Sequence, residues 1–131
     1  MRIVLVQDSA GHSTGYNVVA RALREAGFEV VLGGVQLPSG IARLAADEGA
    51  DAIGYRIMDA SPVILIGRLR EEMARQGTGD VPILVGGIVP DEDVPRLEAM
   101  GVTAIFRPGV TFEEIARGIR ALSRPTGSDH P

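Results

Sequence analysis

The chain repeats one pattern five times: a short β-branched apolar run, a polar or glycine-rich loop, and an apolar stripe at helical period. That alternation constrains the fold more than any other feature, because each strand must be buried and each helix must cover a sheet face. Arg2 to Gln7 suits a strand buried on both faces. Asp8 to Gly15 is small and polar, a loop. From Tyr16 the period is helical, with Val18, Val19, Ala22, Leu23 and Ala26 on one stripe and Gly27 as the stop. The second unit is a strand over Phe28–Leu32, ended by Gly33-Gly34, and a helix over Ser39–Glu48 closed by Gly49. Asp51–Tyr55 is a third strand. Ser61-Pro62 opens the next helix in cap and first-turn order; it runs to about Gln76 and buries Val63, Ile64, Ile66, Leu69 and Met73. Val81–Val85, ended by Gly86-Gly87, precedes an acidic-capped helix over Asp91–Met100 closed by Gly101. Val102–Phe106 is the fifth strand. Thr111 caps the last helix, where Phe112, Ile115, Ile119 and Leu122 recur at about 3.6 residues. Arg124–Pro131 reads as a frayed tail, which sets the domain at residues 1–123.

Five strand–helix units with short connections predict an α/β domain: a five-stranded parallel sheet between two helical layers, a three-layer αβα sandwich. With five strands the flavodoxin-like order 2-1-3-4-5 is expected, and ligands then bind at the carboxyl ends of the strands. The loops of interest are Asp8–Gly15, Arg56–Ala60, Gly86–Pro90 and Arg107–Val110.

Composition removes several functions. Cysteine is absent, which excludes disulfides, thiolate-held zinc, iron–sulfur clusters and a thiol nucleophile, and fits a cytoplasmic protein. All 13 basic residues are arginines, so neither a lysine Schiff base nor a phosphate-loop lysine is available. The net charge of −4 argues against nucleic acid as a partner. No apolar run reaches the roughly 18 residues of a membrane span, and the N-terminal Met-Arg-Ile-Val-Leu-Val is too short for a secretory signal. A phospho-receiver of this fold would need an aspartate ending strand 3 and a lysine ending strand 5; here strand 3 ends in Gly54-Tyr55-Arg56. Ser13-Thr14-Gly15-Tyr16-Asn17 would suit a flavin phosphate, but aromatics at 4% and no tryptophan leave little to sandwich the ring.

The loops hold the unusual residues. His12, flanked by Gly11 and Gly15, can project an imidazole into the crevice as metal ligand, acid–base group or hydrogen-bonding partner of a phosphate; the plain alternative is a surface residue ahead of a helix. His130 falls in the tail. Gly86-Gly87 can bring a flat ligand close to backbone, or simply make a turn.

Taken together, His12-x-x-Gly15, then Gly86-Gly87-Ile88-Val89-Pro90, then Gly101-Val102-Thr103-Ala104-Ile105-Phe106-x-Pro108-Gly109, in this order across residues 2–123, resemble the cobalamin-binding domain of the methylmalonyl-CoA mutase class of acyl-CoA mutases. The likeness is greatest to the free-standing small subunits of isobutyryl-CoA and 2-hydroxyisobutyryl-CoA mutases. The resemblance implies adenosylcobalamin as cofactor and His12 as lower ligand to cobalt, displacing the cofactor's own dimethylbenzimidazole. The displaced nucleotide tail would lie between the sheet and a neighbouring helix. It implies a binding set of Gly11, His12, Ser13, Thr14, Gly15, Arg56, Met58, Gly86, Gly87, Arg107, Pro108 and Gly109. It further implies an isomerase that works with a separate large substrate-binding subunit and is inactive alone; a homodimer stays open.

Three positions depart from the family pattern. Ala10 stands where an aspartate precedes the histidine, in a loop one residue shorter, with Asp8 nearby. Arg56-Ile57-Met58 replaces Ser-x-Leu, and Arg107-Pro108-Gly109 replaces Gly-Pro-Gly. Both arginines fall at the mouth of the tail groove, about two strand spacings apart. Either they swing into water, or they converge over Gly86-Gly87 around an anion, Asp8 or Asp59. Two functions follow: the cofactor-carrying mutase subunit, favoured by His12, or a regulatory or interaction module with weakened cobalamin binding, favoured by Ala10, Arg56 and Arg107.

Overall fold

The computed structural model describes residues 1–122, apart from the side chains of His12 and Ser13; the expected tail, 124–131, lies outside the described residues. The strands are β1 (Arg2–Gln7), β2 (Glu29–Val35), β3 (Ala52–Ile57), β4 (Ile83–Gly87) and β5 (Val102–Phe106). They form one sheet in the expected order β2-β1-β3-β4-β5, every pair parallel. The helices are α1 (Ser13–Glu25), α2 (Pro38–Glu48), α3 (Pro62–Gln76), α4 (Asp93–Ala99) and α5 (Phe112–Leu122). Among the described residues no helix is long and apolar enough to cross a membrane.

Strand alternation divides the core into two layers. Val4, Val6, Ile53, Tyr55, Ile57, Ile83 and Val85 face α2, α3 and α4, where Ile41, Ile66, Leu69, Met73 and Leu97 meet them. Ile3, Leu5, Ala52 and Leu84 face α1 and α5, against Tyr16, Ala20, Leu23, Ala116 and Ile119. Helix ends follow local chemistry. The Ser61 hydroxyl accepts the Ile64 N–H at 3.4 Å. Thr111 and Glu114 form a reciprocal capping box: the Thr111 hydroxyl accepts the Glu114 N–H at 3.2 Å, and the Glu114 carboxylate accepts the Thr111 N–H at 3.0 Å.

Several boundaries differ from the sequence reading. Strand β2 passes through Gly33-Gly34 to Val35, because its register with β1 slips by one residue between Leu5 and Val6. Gly33 permits this bulge: a Cβ there would meet Val6 Cγ1 at 2.6 Å and Leu44 Cδ2 at 2.7 Å. Helix α1 begins at Ser13, not Tyr16, after a 3-10 turn over Ala10–His12. Tyr16 anchors this start, its buried hydroxyl donating to the Leu5 carbonyl at 2.7 Å and accepting the Gly34 N–H at 2.9 Å. Strands β3 and β4 run on to Ile57 and Gly87, which places Arg56 and Gly86-Gly87 within strands. Helix α4 starts at Asp93 rather than Asp91. Val18, placed on the apolar stripe of α1, and Ile64, read as buried, are 53% and 55% exposed.

Candidate functional site

The two faces of β3 are unequal. One carries Ile53, Tyr55 and Ile57; the other carries Ala52, Gly54 and Arg56. On β4 the same face offers Leu84 and then Gly86. With no side chain at Gly54 or Gly86, the layer under α1 and α5 does not close over the sheet. The result is a cavity of about 370 Å³, within the size range of small-molecule sites. Its floor is Ile3, Leu5, Gly54, Leu84 and Gly86. Val19 and Leu23 of α1 and Ile115 and Ile119 of α5 form its walls. Toward the carboxyl ends of the strands it is lined by Arg56, Met58, Gly87, Phe106, Arg107, Pro108, Gly109 and Val110.

Among the residues singled out from sequence, Arg56, Met58, Gly86, Gly87, Arg107, Pro108 and Gly109 thus line one cavity, whereas Gly11, Thr14 and Gly15 do not. Gly11 sits exposed in the 3-10 turn, and a Cβ there would meet nothing. His12 ends that turn at the carboxyl end of β1, and Ser13, Thr14 and Gly15 open α1 as helix, not loop. Gly15 bears on the cavity indirectly. The Arg56 guanidinium lies against it: a Cβ on Gly15 would collide with Nη2 and come within 3.0 Å of Cζ. Sequence reasoning missed the floor and walls, although Gly54 gave a signal, a glycine inside a buried strand.

Arg107 does not turn to Asp8 or Asp59, the carboxylates the sequence suggested for it. Arg107 donates to the Val89 carbonyl from Nε and Nη2, at 3.1 and 2.8 Å, and pairs with Asp91. Asp91 sits 16 residues away in the β4–α4 connection.

Asp8 is committed elsewhere. Its Oδ1 accepts the Met58 N–H at 2.9 Å, and Oδ2 accepts those of Asp59 and Ala60, both at 2.8 Å. Burial alone would raise this carboxyl's pKa; these three backbone donors, together with Asp8's own N–H, outweigh burial and hold it below the usual aspartate range. The clip fixes the β3–α3 connection and with it Met58. Tyr55, on the opposite face of β3, is pushed up to about 12 by burial and by the charge of Asp8.

Residues 3–116 match the family described as the B12 binding domain. The chain belongs to that family. It is 36% identical over 110 residues to the methylmalonyl-CoA mutase large subunit of Streptomyces virginiae, covering 83% of this chain but spanning only 15% of that protein. It is 35% identical over 120 residues to the pivalyl-CoA mutase small subunit of Xanthobacter autotrophicus, covering 91% of this chain and 80% of that one. The fold also matches a response regulator from Desulfuromonas acetoxidans, with a TM-score of 0.72 at 16% identity over 94% of this chain and 96% of that one. At that identity the match speaks for the fold alone.

Proposed function

We propose that this chain is the cobalamin-carrying subunit of an acyl-CoA mutase and works with a separate large subunit that binds the acyl-CoA. The observation that carries this reading is the apolar cavity floored by Gly54 and Gly86 between the sheet and α1/α5. A glycine-floored slot suits a flat, largely apolar group such as the cofactor's displaced base. When bound, adenosylcobalamin supplies a cobalt–carbon bond whose homolysis starts a radical rearrangement of the carbon skeleton. The chain's own contribution is to hold and orient. His12, at the carboxyl end of β1, offers an imidazole of the kind cobalt accepts. Asp8 fixes the β3–α3 connection beside the cavity. Ala10 provides no carboxylate for the imidazole, and both oxygens of Asp8 are already engaged by backbone N–H groups.

The position of Arg56 favours a second reading, a module of the same fold that no longer retains cobalamin. Mixing the purified chain with hydroxocobalamin and recording the visible spectrum after desalting separates the two. Retained colour with a histidine-ligated spectrum is expected; a colourless protein would establish the second reading.

A further inference from the structure

Arg56 occupies a decisive place in the cavity. Gln7, Arg56, Gly86 and Phe106 are register partners across β1, β3, β4 and β5 and form one row over the sheet. In that row only Gly86 leaves a gap, and Arg56 and Phe106 flank it, about 10 Å apart by strand spacing. Gly54, part of the floor, lies two residues below Arg56 on the same face of β3. A group that reaches Gly54 and Gly86 from the carboxyl edge of the sheet must therefore pass Arg56. The side chain does not lie along the sheet: it crosses to the first turn of α1 and rests its guanidinium on Gly15, one turn ahead of Val19, which with Leu23 walls the cavity. A planar, permanently charged group thus stands between the sheet and α1 at the carboxyl end of a cavity that is apolar apart from Arg56 and Arg107.

We propose that Arg56 is the specificity-determining residue of this cavity: seated on Gly15, it obstructs the nucleotide tail of a corrinoid while leaving the corrin ring itself unaffected. This rests on the corrinoid reading above and adds to it which part of the ligand meets an obstruction on its way into the cavity. A tail enters only if the guanidinium leaves Gly15, and that cost falls on tail-bearing corrinoids alone.

The test compares aquocobalamin with its tail-less counterpart, diaquocobinamide, by spectral titration of the whole chain and of Arg56→Ser and Arg56→Ala. Both variants should bind cobalamin about tenfold more tightly than the unmodified chain, equivalent to about 1.4 kcal/mol. Their affinity for cobinamide should change by less than about twofold, which also shows that they are folded. Weaker cobalamin binding with cobinamide unchanged would overturn the proposal, because Arg56 would then be holding the tail. Unchanged affinity for both would overturn it as well, placing the guanidinium outside the path. If neither corrinoid binds the unmodified chain or either variant, the corrinoid reading itself fails and this inference falls with it.

Discussion

Asp8→Asn is the most informative single change to the scaffold of the site. The carboxylate receives three backbone N–H groups from Met58, Asp59 and Ala60, at 2.9, 2.8 and 2.8 Å. Two donors converge on Oδ2 and one meets Oδ1, so the asparagine oxygen is best placed at Oδ2. Its NH₂ then faces the Met58 N–H, donor against donor. One hydrogen bond to a charged acceptor is lost, worth about 1.5–3 kcal/mol, and two become neutral, each weaker by about 1 kcal/mol. After a discount for partial exposure, the expected destabilisation is about 2–3 kcal/mol. With a urea slope of about 1–3 kcal/mol per molar, the midpoint should fall by about 0.7–3 M at pH 7. The pH dependence follows from the depressed pKa of Asp8. Its stabilisation is complete above the unfolded aspartate value of about 3.9 and is lost as pH falls through the lower folded value. The gap between the unmodified chain and the variant should therefore close below about pH 4. Equal midpoints at pH 7, or a gap unchanged on acidification to about pH 2, would refute the assigned role.

Adjacent glycines should behave in opposite ways. Gly87 has φ +106°, and a Cβ there would strike the backbone of Ile57, including its carbonyl carbon at 2.9 Å. Gly87→Ala should cost more than about 2 kcal/mol in chemical denaturation. A Cβ on Gly86 would meet the Phe106 carbonyl oxygen only at 3.7 Å, so Gly86→Ala should change stability by less than about 1 kcal/mol while weakening cobalamin binding in a spectral titration. Burial raises both tyrosines, Tyr55 to about 12 and Tyr16 against the partial offset of its Gly34 hydrogen bond and of Arg24. Stability from these neutral phenols should be intact below about pH 10 and lost as pH rises toward Tyr55's value. Ultraviolet titration should show phenolate appearing together with loss of far-ultraviolet dichroism; phenolate half-formed near pH 10 in folded protein would contradict this.

The sequence made the alternating architecture legible because each strand and helix carries its own period and stop. It was misleading where tertiary contacts override local preference. Ser13-Thr14-Gly15 reads as loop because glycine and hydroxyl residues are poor helix formers, yet Tyr16, held by Leu5 and Gly34, sets the helix start ahead of them. Gly33-Gly34 reads as a strand end, but the same freedom serves a bulge. The carboxyl-end loops were legible as the place of the site because parallel sheets put ligands there. The cavity below them was partly legible in β3, whose Ala52, Gly54 and Arg56 alternate with Ile53, Tyr55 and Ile57. Side-chain pairing was not. Nothing local in the sequence selects Asp91 over Asp8 as the carboxylate for Arg107; the pairing follows from how two separate connections meet in space.

If His12 takes the place of the cofactor's own base as ligand to cobalt, as proposed, the electron paramagnetic resonance of bound cob(II)alamin shows it directly. In protein grown on the heavy, spin-one-half nitrogen isotope, an axial histidine nitrogen splits each cobalt line into a doublet, whereas the unlabelled benzimidazole of the cofactor gives a triplet. The doublet is expected for the unmodified chain, and its loss in His12→Ala. Tighter binding with the doublet retained is expected in Ala10→Asp, where a carboxylate can orient the ring. A triplet in the labelled, unmodified chain would contradict the account, because the cofactor would then have kept its own base.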